Sequence, residues 1–162
     1  MSDRRAPIPA TGEFITEGAA ATRALGAALA RTLMPGQVIA LRGDLGAGKT
    51  TFVQGLAEGL GYAGPVTSPT FILVNEYPLP AHRRLIHIDA YRLGDLANAA
   101  LAEAATFGLE ELFDDSDAII AVEWSERVAA ALPPDHLLVE IQAEAGDTRR
   151  IRITAMGAGS DG

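Results

Sequence analysis

The sequence predicts an α/β fold, a mixed sheet flanked by helices in a single compact domain, and three observations carry that expectation. An apolar run of strand length, 37–41, passes directly into a glycine-rich loop, Gly43-Asp44-Leu45-Gly46-Ala47-Gly48-Lys49-Thr50, which opens onto a stretch of helical composition, 50–60. A second run, 118–122, is continuously apolar, as a strand covered on both faces must be. The 162 residues, 48% hydrophobic and 21% charged, suffice for one core and leave little room for two. Strand, glycine-rich loop and helix in that order make the expected architecture P-loop NTPase-like.

Each element follows from its own pattern. Ala21, Leu25, Ala28, Leu29 and Leu33 recur at helical spacing across 18–33, and Pro35-Gly36 stops them. Residues 70–77 and 84–89 are β-rich and joined by Pro78-Leu-Pro80-Ala-His82, which reads as a hairpin-like connection. The Ala-rich stretch 96–106 and the following 109–113 have helical composition, and a short helical piece over 125–132 is ended by Pro133-Pro134. Two alternating strands, 137–143 and 149–154, flank a Gly146-Asp147 turn. The ends, at about 1–12 and 156–162, lack periodicity and are expected to fray.

Charge and composition exclude several function classes. A net charge of -8 argues against a protein that grips nucleic acid over its main surface, because phosphate neutralisation needs clustered Lys and Arg. The absence of cysteine removes disulfides, thiolate metal sites and Cys nucleophiles. No stretch near the N-terminus is apolar enough for a signal peptide or a spanning helix, so a soluble cytoplasmic protein with no membrane partner is expected. Twelve arginines stand against one lysine, Lys49. A lone compact ammonium in an Arg-using sequence marks a place where the planar guanidinium would not fit.

That lysine falls in the glycine-rich loop. Backbone amides can converge on phosphate oxygens only where side chains do not obstruct them, and Gly43, Gly46 and Gly48 leave that space. Lys49 would reach the β- and γ-phosphates, the Thr50 hydroxyl would meet magnesium, and Thr51 is a candidate for a further phosphate contact. The loop residues between the glycines, Asp44, Leu45 and Ala47, belong to the same cradle. Two acids close strand-length runs: Glu123 after 119–122 and Asp89 after 85–88. At a sheet edge beside such a loop, one carboxylate can bind magnesium and another can orient an attacking water. Thr67-Ser68-Pro69-Thr70-Phe71 lies where many P-loop proteins carry a segment that senses the γ-phosphate. His87, alone on its strand, reads as packed or hydrogen-bonded, and Trp124, next to Glu123, as a packed side chain able to report on the site. With one lysine no Asn-Lys-x-Asp guanine element can exist, so ATP is expected over GTP.

With the loop, Thr67-Ser-Pro-Thr-Phe71, His87-Ile-Asp-Ala-Tyr-Arg92, Gly108-Leu-Glu-Glu-Leu-Phe-Asp114 and Val122-Glu-Trp124 in this order, the sequence resembles the TsaE family, the ATPases of bacterial tRNA threonylcarbamoyladenosine biosynthesis. The likeness runs from about Thr22 to the strand at 149–154. It implies an ATP- and magnesium-binding chain in which Thr50 and Glu123 hold the metal, Lys49 and Asp89 serve hydrolysis, and Arg149, Ala19 and Ala21 border the nucleotide. It also implies work with TsaD-like and TsaB-like partners, tRNA being met indirectly or by a local contact, with ATP hydrolysis resetting the modifying complex. Ile88 and Ala90 replace bulkier residues of the family pattern, and Ser125 stands where a proline commonly follows the tryptophan. From the residues alone, a small metabolite kinase and a non-hydrolysing nucleotide switch remain alternatives.

Overall fold

A computed structural model of the chain describes residues 12–44, 46–66, 74–90, 108–115 and 117–157. Seven strands form one sheet: β1 (Gly12–Glu17), β2 (Val38–Arg42), β3 (Val74–Pro78), β4 (Arg84–Asp89), β5 (Ala118–Glu123), β6 (His136–Ala143) and β7 (Thr148–Met156). Their order is β1-β7-β6-β2-β5-β4-β3. Strands β6, β2, β5 and β4 run parallel in the middle, while β7 and β1 at one end and β3 at the other are antiparallel to their neighbours. The mixed α/β architecture expected from the sequence is therefore the observed one.

Burial explains the strand sequences. All six residues of β5 are buried, so its apolar run continues without alternation. Leu85, Ile119, Ala121, Val139 and Ile141 point to the face covered by helices α1 (Ala19–Ala30) and α2 (Lys49–Leu60). Ile86, Ile88, Ile120 and Val122 point to the other, where Leu109 and Phe113 of the helical residues 108–113 pack with Val128 and Ala131. The two long helices touch backbone to backbone. A Cβ on Gly26 would lie 2.4 Å from the Phe52 carbonyl oxygen, and one on Gly55 only 2.0 Å from that of Arg23. Glycine at both positions sets the depth of that layer.

Two elements differ from the sequence reading. Strand β1 was not anticipated: it pairs with β7 from Gly12↔Ile153 to Glu17↔Thr148. Its hydropathy misleads, since Ile15 is 51% exposed while Thr16 is buried against the Thr22 hydroxyl at 2.8 Å. Residues Ser125–Ala131, expected as a short helix, form 3₁₀ turns broken at Val128 (φ −130°, ψ 29°). Val128 and Ala131, three residues apart, are both buried, a spacing that suits the tighter winding. The connection between β3 and β4 is the hairpin the sequence suggests, closed by the Leu79 N–H donating to the Arg83 carbonyl at 2.9 Å. The Ala-rich stretch 96–106, the segment Thr67 to Phe71, Leu45 and Arg92 lie outside the described residues.

Candidate functional site

Parallel strands deliver their C-terminal ends to one edge of the sheet, and in an open α/β sheet ligands meet that edge. Here Leu41 pairs with Glu123, and Glu123 with Asp89. The chain leaving β2 at Gly43, the carboxylate closing β5 and the carboxylate closing β4 are thus brought side by side. Alternation along β4 and β5 turns His87, Asp89, Ala121 and Glu123 to the α2 side of the sheet.

The glycine-rich loop spans from β2 to α2. A Cβ at Gly43 would stand 2.6 Å from the Ile141 carbonyl oxygen of β6, so the loop starts flush against the sheet. Gly48, with φ 112° and ψ 16°, caps α2 in the left-handed region that glycine occupies without strain. Arg149, on β7, donates from Nε to the Ala47 carbonyl at 2.8 Å and from Nη1 to the carbonyls of Gly146 and Thr148. That side chain ties β7 to the loop.

Lys49 begins α2 and is only 5% exposed. Its Nζ donates to the Gly43 carbonyl and, at 3.0 Å, to that of Asp44, and lies 4.2 Å from the centre of the Trp124 ring. Burial pushes the ammonium below its ordinary pKa of 10.5, and the charges of Glu123, Glu126, Asp44 and Asp89 pull the other way. Trp124 reaches this place because its backbone turns left-handed directly after β5 (φ 58°, ψ 42°). The Thr50 hydroxyl donates to Glu123 Oε2 at 3.0 Å, and His87 Nε2 meets the same oxygen at 2.6 Å.

A cleft of about 260 Å³ opens over these groups, lined by Gly46, Gly48, Lys49, Thr50 and Thr51 from the loop and helix and by Asp89, Glu123 and Trp124 from the strand ends. Of the residues singled out in the sequence, Gly46, Gly48, Lys49, Thr50, Thr51, Asp89 and Glu123 thus share one cleft. Ala19, Ala21, Gly43, Asp44, Ala47 and Arg149 lie outside its lining, and α1 comes near the loop at Thr22, whose Cγ2 would lie 4.0 Å from a Cβ on Gly48. Thr22 was marked in the sequence only as the point where the family likeness begins. The contact between Trp124 and Lys49 was foreshadowed only by Trp124 following Glu123. The bond from His87 to Glu123 had one legible hint, the two-residue step from His87 to Asp89 on one strand face. Among the described residues no three His, Cys, Asp or Glu side chains cluster as a metal site, and no helix is long and apolar enough to cross a membrane.

Comparison with known proteins agrees with this layout. Residues 16–151 match the family described as threonylcarbamoyl adenosine biosynthesis protein TsaE. A Streptomyces coelicolor protein named tRNA threonylcarbamoyladenosine biosynthesis protein TsaE is 41% identical over 140 residues, covering 83% of this chain and 90% of its own. One of the same name from Bacillus subtilis is 40% identical over 139 residues, with 84% and 80% covered. The crystal structure of Bacillus subtilis YdiB superimposes with a TM-score of 0.72 at 33% identity, over 93% of this chain and 89% of the other. A match of this length and identity, carried on a shared fold, makes the chain a member of the TsaE family of tRNA threonylcarbamoyladenosine biosynthesis.

Proposed function

We propose that the chain binds ATP with magnesium in the cleft above β2, β4 and β5 and hydrolyses it, as a partner-dependent ATPase serving threonylcarbamoyladenosine modification of tRNA. The observation that carries this reading is the first turn of α2. There a buried ammonium and a hydroxyl bonded to a buried carboxylate face the same cleft.

The residues present fit such a ligand. Cβ-free positions at Gly46 and Gly48 leave the loop amides open to phosphate oxygens, and a Cβ at Gly46 would meet nothing within 4 Å. A desolvated Lys49 gains more from an anion than a solvated one, because its charge is poorly compensated by water. On nucleotide binding it would exchange the Gly43 and Asp44 carbonyls for phosphate oxygens. Thr50 and Glu123 offer one hydroxyl and one carboxylate, the small protein share that suits magnesium, which keeps waters and phosphate oxygens as its other ligands. Bound magnesium would supply neutralisation of the charge on the phosphates. Asp89 would hold and orient a water, Thr51 would add a phosphate contact, and Arg149 would keep the loop seated through Ala47.

The family supports a role beside TsaD-like and TsaB-like proteins, with hydrolysis resetting the assembly and tRNA met through them. A chain of net charge -8 suits a subunit that acts through partners. The test is calorimetric titration with ATP, with and without magnesium, followed by phosphate release from the chain alone and with both partners. Binding that depends on magnesium and on Lys49, and release that rises with partners, are expected. Lys49→Ala should lose roughly 2 kcal/mol or more of affinity, about 30-fold. Wild-type affinity in that variant would take the loop out of its role, and phosphate delivered to an added acceptor would favour a kinase.

A further inference from the structure

We propose that His87 is a positioning residue for Glu123, and that through this bond it sets the affinity of the site for its divalent cation. The inference rests on the magnesium–nucleotide reading above and extends it to a residue that never touches the ligand. His87 is 0% exposed in the middle of β4, and its Nε2 lies 2.6 Å from Glu123 Oε2. Its Nδ1 is buried with no hydrogen-bond partner among the described residues. The bonding pattern therefore assigns the ring proton to Nε2, where the carboxylate accepts it.

The strand register explains why the two meet. His87 stands opposite Ala121, one same-face step before Asp89 opposite Glu123. The small Ala121 side chain leaves the imidazole room to reach across to the neighbouring strand's carboxylate. Glu123 needs such a partner, since it is 4% exposed and a buried carboxylate is costly unless its oxygens are hydrogen-bonded. Both donors, the Thr50 hydroxyl and His87, fall on Oε2. Oε1, which neither of them engages, is the oxygen that would face a cation or its water. Without the imidazole the carboxylate could turn about its last torsion and exchange its oxygens. Groups that hold a metal-binding side chain in this way commonly govern affinity nearly as strongly as the ligands do.

The test uses the full chain and the β,γ-imido analogue of ATP, titrated calorimetrically in magnesium and in EDTA. Manganese uptake by the nucleotide complex, followed by electron paramagnetic resonance, gives a readout free of turnover. His87→Leu should lose about 10–100-fold in metal-dependent affinity while keeping the wild-type affinity in EDTA. His87→Gln, whose amide N–H can stand near the Nε2 position, should recover most of the loss. In a Glu123→Gln background, His87→Leu should cost nothing further, because the partner is already altered. If His87→Leu fails to fold, His87→Asn, with an amide too short to reach Glu123, takes its place with the same expected loss. Wild-type metal dependence in these variants would overturn the proposal, as would an equal loss in magnesium and EDTA, or a Gln variant as weak as Leu. A wild-type protein that binds the analogue equally with and without metal would overturn the magnesium reading itself, and this inference with it.

Discussion

The two ends of the sheet solve different problems with the same element. In β4, β2 and β5 the strands run parallel and are largely buried on both faces; apart from Arg84 at the start of β4 and His87 within it, their polar groups gather at the C-terminal tips, where Asp89, Glu123 and the loop after Arg42 converge. At the β7–β1 end the strands are antiparallel and alternate, with Phe14, Ile151 and Ile153 inward and a ladder of charges outward. Arg150 pairs there with Glu13 at 3.3 Å and with Glu144 at 3.2 Å, and Arg152 with Glu13 at 3.4 Å. Those ion pairs lie on a solvated face, where they count for little. The candidate site at the strand tips instead gathers one ammonium, one imidazole and two carboxylates. Charged side chains interact more strongly there because fewer waters compete for them.

That contrast can be broken most sharply at Asp89. Asp89→Ala should leave affinity for ATP near wild type and cut phosphate release roughly 10²-fold or more, the usual scale for removing a group that positions or deprotonates a water. Matched titration and steady-state assays decide it; a loss of affinity without loss of turnover would make Asp89 a ligand-holding group. Next comes the helix layer behind the tip. Gly55→Ala places a Cβ against the Arg23 carbonyl and should lower stability by about 2 kcal/mol, read as a fall in the urea midpoint at unchanged slope.

A smaller effect of opposite sign is expected at Lys49. Its pKa is lowered by burial, so the folded chain holds fewer protons than the unfolded one at pH values between the lowered pKa and 10.5. Stability rises with pH in that window, the charged form having been the costly one. Lys49→Met should therefore match or exceed the wild type in urea resistance at neutral pH, even though the proposed function predicts a loss of nucleotide affinity. The difference should shrink as the pH approaches 10.5, and a clear loss of stability at neutral pH would show that the carbonyl bonds and the Trp124 contact outweigh burial. The smallest effect belongs to the opposite end of the sheet. Arg152→Ala, with its side chain 62% exposed, should change stability by less than about 0.5 kcal/mol by denaturation, as exposed pairs commonly do.

What the sequence by itself determined was most of the local structure, strand β1 and the 3₁₀ winding of Ser125–Ala131 apart. The loop from Gly43 to Thr50, the strand before it, the helix after it and the fully buried β5 are each written in consecutive residues, so spacing and hydropathy suffice to read them. The acids at 89 and 123 were legible as strand ends for the same reason. Tertiary structure alone decided which of these groups share atoms. Thr50 and Glu123 are 73 residues apart, His87 and Glu123 36, and Arg149 and Ala47 102. Those distances are closed by strand order and register, and a shift of one residue in β4 would turn His87 away from Glu123 to the other face of the sheet. Strand β1 shows the same limit from the other side. Its exposed Ile15 and buried Thr16 contradict hydropathy, and only pairing with β7 and the hydroxyl of Thr22 make the segment a strand with that face inward. Hydropathy records the average cost of burying a side chain, whereas burial at a given position depends on partners that the chain brings there only when folded.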